Sequence, residues 1–144
     1  MTSEVEELSR EFWRVWSDEG PAGLLARYDD FFTEDLEWRP PVAELSGTRY
    51  RGWEGFEQYI SDIEEVLGNT SGELEEVTEI SPDVIRSKVR FHGQGTASGA
   101  VIDATVVAVS RLRDGRICWG WGTYDTAEAE RVAEAIVRGE EVSI

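Results

Sequence analysis

Sulfur and basic charge are scarce in this chain. One cysteine, Cys118, excludes an internal disulfide and any zinc site built from several cysteines, and a single histidine leaves few other metal ligands besides carboxylates. No metal or cofactor is therefore expected. Lysine and arginine number 14 against 30 aspartates and glutamates, and the formal charge of −16 argues against nucleic acid and anionic membrane surfaces as partners. Lys88 is the sole lysine, so a Schiff-base mechanism has only that side chain or the amino terminus to use. No apolar run nears the roughly 18 residues that span a bilayer. The opening MTSEVEELSREFW is acidic and lacks the basic-then-apolar order of a secretion signal, so the expected location is the cytoplasm.

What is present is enough for a packed core. The chain has 144 residues, 40% of them apolar and six of them tryptophan, which fits one domain over residues 1–144. Ser3 and Glu6 form a capping box ahead of Val5, Leu8, Phe12, Val15 and Trp16, a helical stripe that should end near Gly20. Pro21 suits the first turn of a second helix burying Leu24, Leu25 and Tyr28. Leu36–Arg39 is a short strand stopped by Pro40 and Pro41, and a loop runs on to about Gly52. A third helix carries Trp53, Phe56, Ile60, Ile63 and Leu67 on one face, with Gly68 as its exit.

The period then changes from helical to twofold. Leu74–Ile80 and Ile85–His92 read as strands around a Ser-Pro-Asp turn. Ile85, Ser87, Val89 and Phe91 alternate with Arg86, Lys88, Arg90 and His92, which implies one buried and one wet face. GQGTASG marks a turn or bulge before a long strand, Ala100–Arg113. Asp114-Gly115 signals a type I′ hairpin, and Arg116–Tyr124 is the return strand. Asp125 caps a last helix, with Glu128 at the capping-box position and Ala127, Val132 and Ile136 inward.

Helices first and strands after is an α+β order. That order, with EDLEWRPP, YRGWEGFEQYI, GQGTASG and RLRDGRICWGWGTYDTAEAE, resembles the nuclear transport factor 2-like superfamily, in particular its SnoaL-like, polyketide cyclase and ketosteroid isomerase-like branch, from about Glu6 to Ala135. The resemblance implies a cone: a strongly curved antiparallel sheet wrapped around three N-terminal helices, with a short C-terminal helix and a pocket at the open end. It does not select a reaction. The isomerases' base position falls on Pro40 or Arg39, their oxyanion-hole acid near Ala108, and their first-helix tyrosine near Phe12 or Trp13, so the groups for that proton transfer are missing. The last carboxylate of the epoxide hydrolases falls near Thr123, and that set is missing too.

RICWGWGTYD remains to be explained. Its alternation puts Cys118, Gly120, Gly122 and Tyr124 on one face and Ile117, Trp119, Trp121 and Thr123 on the other. The resemblance turns the first set into the cone, where missing side chains would leave room for a ligand. Two alternatives stay open: helix side chains fill that space, or a register slip exchanges the faces. Trp119 and Trp121 then lie outside beside Val107 and Val109, too apolar for open water, and the superfamily's habit implies a homodimer through this face.

The expected ligand is a small apolar or aromatic molecule, with Trp13, Trp38, Trp53, Phe56, Phe91, Ser110, Cys118, Gly120 and Tyr124 as candidate contacts. No catalytic residue is assigned. His92 and Asp103 are the weak candidates if the protein is instead an enzyme of the cyclase, isomerase or dehydratase type. A third reading is a non-catalytic dimerisation module.

Overall fold

The computed structural model describes residues 4–41 and 49–140. Helix α1 (Glu4–Glu19) carries the predicted stripe: Phe12, Val15 and Trp16 are buried, and Val5 and Leu8 pack at its margin. Ser3, the expected cap, lies outside the described residues. Gly20 ends the helix at φ 78°, a left-handed conformation that costs glycine nothing. Pro21 then opens α2 (Pro21–Ala26), as expected. The chain breaks at Arg27, so Tyr28 belongs to a separate turn, α3 (Tyr28–Phe31).

Strand β1 (Phe32–Arg39) begins well before the predicted Leu36. Phe32 and Thr33 are both buried while Glu34 and Asp35 are both exposed, a pairwise pattern that simple alternation hides. β2 (Tyr50–Arg51) leads into α4 (Gly52–Val66), whose buried face is Phe56, Tyr59, Ile60 and Ile63. β3 (Leu67–Ser81) follows without a loop, although the spacing predicts helix to Gly68 and strand only from Leu74. Its pairing with the next strand shifts register three times, and each shift breaks the twofold period from which a strand is read.

β4 (Val84–Gly95), β5 (Val101–Arg113), β6 (Arg116–Thr123) and α5 (Thr126–Val137) complete the order. Asp114 and Gly115 have φ of 54° and 76°, both positive, as the hairpin signal requires. The Asp125 side chain accepts from the Glu128 N–H at 3.2 Å and caps α5.

The six strands form one curved, unclosed sheet in the order β2-β1-β6-β5-β4-β3. All neighbours are antiparallel except β1 and β6, so the expected cone is present but its sheet is mixed. α1 and α4 cover one face, packing Phe12, Trp16, Phe56 and Ile60 against Leu36, Ile85, Leu112 and Ile117. α5 covers part of the other, where Ala129, Val132 and Ala133 pack on Val84, Val107, Val109 and Trp121.

Two expectations about faces change. Leu112 pairs with Ile117 but Arg111 pairs with Trp119, which makes Cys118 the extra residue of a bulge. The bulge resets the alternation, and Ile117 joins the inner cluster instead of sharing the outer face with the tryptophans. Trp119 and Trp121 do look away from the cone, but Trp121 is only 3% exposed. Val107 and Val109 are buried with it beneath α5, and Trp119 packs at the edge of the same cluster. The unmet apolar surface that motivated a dimer there is therefore covered at these three positions by the chain's own last helix.

Candidate functional site

The interior is built around Trp38. On β1 it stands opposite Gly120 of the parallel neighbour β6, and its indole lies directly over that glycine: a Cβ at position 120 would sit 2.6 Å from Trp38 Cζ3. Pro41 occupies the same place over Gly122, where a Cβ would lie 3.0 Å from its Cδ. Gly72 on β3 likewise seats the Trp13 ring. The expectation that Gly120 and Gly122 leave empty space is corrected accordingly. The space is filled, and by Trp38 of β1 and Pro41, two residues past its end, rather than by the side chains of α1 and α4.

Four aromatic rings surround the Trp38 indole. Centroid distances are 6.1 Å to Phe12, 5.8 Å to Phe32, 5.5 Å to Phe56 and 5.9 Å to Tyr59. Edge-to-face and tilted pairs at such spacings each add roughly 0.5–1.5 kcal/mol to simple burial. The indole is only partly buried, yet its Nε1 is sealed from solvent and has no hydrogen-bond acceptor among the described residues. Such an orphan costs roughly 1–3 kcal/mol. The fold does supply an acceptor elsewhere: Trp16 Nε1 donates to Thr70 Oγ1 at 3.1 Å.

Tyr59 stands beside the Trp38 indole, 5.9 Å between ring centroids. Burial pushes its phenol far up, and the Trp38 N–H partly offsets that shift, so the two groups are close although they do not meet in the line of a full hydrogen bond. Tyr59 is only 5% exposed. It is the important residue that the sequence did not single out, although its place among Phe56, Ile60 and Ile63 on one helical face was a usable signal. Tyr50 lies beside it at 5.5 Å between rings and donates its own hydroxyl to Asp62 Oδ2 at 2.7 Å. Burial and that carboxylate raise the Tyr50 phenol to about 12.

The other candidate contacts scatter. Phe56 is fully buried in the inner cluster, and Phe91 packs at its margin, edge-on to Trp16 at 6.0 Å. Ser110 faces Ile85 and Gly120 across the sheet and is half-buried. Trp13 has one side against Phe12 and Trp16, and the other on an open groove of about 440 Å³ with Arg10, Arg14, Ser17 and Leu74. Trp53, in the first turn of α4, is 45% exposed, and Tyr124 at the end of β6 is 64% exposed. Cys118 donates its thiol to the Arg111 carbonyl at 3.5 Å, and burial raises its pKa, so it is not primed as a thiolate.

His92 and Asp103 pair across β4 and β5 on the outer face, His92 Nδ1 lying 3.6 Å from Asp103 Oδ1. Arg90 forks onto the same carboxylate at 2.9 and 2.8 Å and holds it below the usual carboxylate range. Both side chains are about 40% exposed, so the pair reads as a surface ion cluster. Among the described residues, the buried polar side chains are the hydroxyls of Ser9, Thr33, Ser87 and Thr123 and those of the buried tyrosines Tyr28, Tyr50 and Tyr59.

Helices seated in a curved, unclosed sheet define a cone of the nuclear transport factor 2-like type. The sequence matches the SnoaL-like domain family over residues 9–119, and the chain belongs to that family. No curated protein matches it. Among solved structures it is similar to a nuclear transport factor 2-like protein of unknown function from Burkholderia pseudomallei, with a TM-score of 0.72 and 20% identity over 92% of this chain and 98% of that one. TerC co-crystallised with polyporic acid gives a TM-score of 0.71 and 19% identity over 92% and 99% of the two chains. RV0760c from Mycobacterium tuberculosis, in complex with estradiol-17beta-hemisuccinate, gives 0.67 and 20% over 88% and 97%. At such identities the likeness is one of fold.

Proposed function

We propose that this protein binds a small, mostly apolar molecule against the partly exposed Trp38 indole, at the aromatic end of the cone. The observation that carries the reading is the composition of the inner layer: Trp38 touches Phe12, Phe32, Phe56 and Tyr59, and no carboxylate, imidazole or guanidinium is fully buried among the described residues. Such a lining suits dispersion and stacking with an aromatic ligand and offers no group poised to move a proton. Two proteins of similar fold hold small molecules, polyporic acid in one and estradiol-17beta-hemisuccinate in the other, which supports the use of this scaffold for binding.

Titration with a panel of neutral polycyclic compounds, followed by tryptophan fluorescence and calorimetry, tests the reading. Saturable binding of at least one compound at one site per chain is expected. Uniformly unsaturable quenching across the panel contradicts it.

A further inference from the structure

We infer that Trp38 and Tyr59 act as a donor relay that selects ligands by a single uncharged acceptor oxygen, the carbonyl or ether oxygen of an otherwise apolar molecule. The inference rests on the binding reading above and adds the chemical feature that the ligand must carry.

The geometry leads there in three steps. First, Trp38 Nε1–H is buried without an acceptor among the described residues. A buried polar group kept in that condition points to a partner that arrives from outside. Second, the Tyr59 hydroxyl beside it can accept from the indole and donate its own proton onward. A small rotation of the phenol on ligand binding lines up indole N–H, phenol oxygen and ligand oxygen, and each donor strengthens the next. Third, the phenol stays protonated because burial disfavours its anion, so the relay offers donors only. The Arg39 guanidinium, only 16% exposed, is already paired with Glu37, and a ligand anion would meet a chain of charge −16. An uncharged acceptor fits on both counts.

Fluorenone and fluorene share one planar tricyclic body and differ at the carbonyl, which makes them the probes. Calorimetry on the wild-type chain is expected to give about tenfold tighter binding of fluorenone. In Tyr59→Phe that preference should fall to within twofold. The infrared carbonyl stretch of bound fluorenone should lie below its value in hydrocarbon solvent for the wild type and return towards that value in Tyr59→Phe. This is a hydrogen-bond signature that a packing role does not produce. Trp38→Phe should show a smaller shift in the same direction, and wild-type probe selectivity tests the idea even if a variant folds poorly.

Equal affinities for the two probes in the wild-type chain, or a carbonyl stretch indifferent to Tyr59, overturn the relay while leaving apolar binding intact. Failure of both probes to bind overturns the underlying binding reading and the relay with it.

Discussion

At the scale of single residues, the protein turns on pairs of opposites: a glycine on one strand and an indole laid over it from another element. RICWGWGTYD announces an uneven surface, but the partner that fills it, Trp38, is 82 positions away on a strand whose parallel pairing no local pattern reveals. The alternation correctly turned Gly120 inward and Trp121 outward. What lay over the glycine was not legible. Replacing Gly120 by alanine forces the Trp38 ring to move, and a loss of about 1–3 kcal/mol in urea unfolding is expected, with a changed near-ultraviolet circular dichroism spectrum. Gly122→Ala meets only the rim of Pro41 and should cost less than half as much. Equal losses at the two positions would contradict the seat that Gly120 provides.

At the scale of elements, the last helix is the part whose role the sequence concealed. Its cap was readable: Asp125 and Glu128 stand where a capping box puts them, and Asp125→Ala should cost about 1 kcal/mol by thermal or urea unfolding. Its docking was not readable: the expected inward set was Ala127, Val132 and Ile136, whereas Ala127 is exposed and Ala129 and Ala133 are buried beside Val132. Beneath them lies Trp121 with Val107 and Val109. Trp121→Asp is therefore a folding mutation, expected to cost about 3–5 kcal/mol, whereas the half-buried Trp119→Asp should cost clearly less. If Trp121→Asp leaves stability unchanged and only alters oligomeric state by ultracentrifugation, the helix does not cover that face as described. Only the start of β3, before the predicted Leu74, was missed, and for a different reason: the register shift between Gly68 and Ser71 breaks the alternation there.

At the scale of the whole molecule, the family resemblance and the order of elements together made the cone legible, while the interior donors depended on packing that only three dimensions supply. The acidic surface makes its own prediction. Hydrogen bonds from Arg14 and then Arg27 hold the Glu11 carboxyl at about 2 against 4.5 when free, and Arg113 and Arg90 lower Asp35 and Asp103 in the same way. Folding thus favours the ionised carboxylates. Their stabilisation is in place above about pH 4.5 and fades as pH falls towards 2. Glu11 and its partners are over a third exposed, so screening keeps that share below about 1 kcal/mol. The urea midpoint should fall over this range, and Glu11→Gln should flatten part of the fall; a midpoint that rises on acidification contradicts the assignment. The claim on which the functional account stands is that ligand meets the Trp38 indole inside the cone. Six tryptophans give six indole N–H signals in a ¹⁵N-edited spectrum, assignable through single Trp→Phe variants. Adding fluorenone should move the Trp38 signal downfield in a saturable way and leave those of Trp119 and Trp121 in place; a stationary Trp38 signal at saturation, or movement confined to the outer pair, would contradict it.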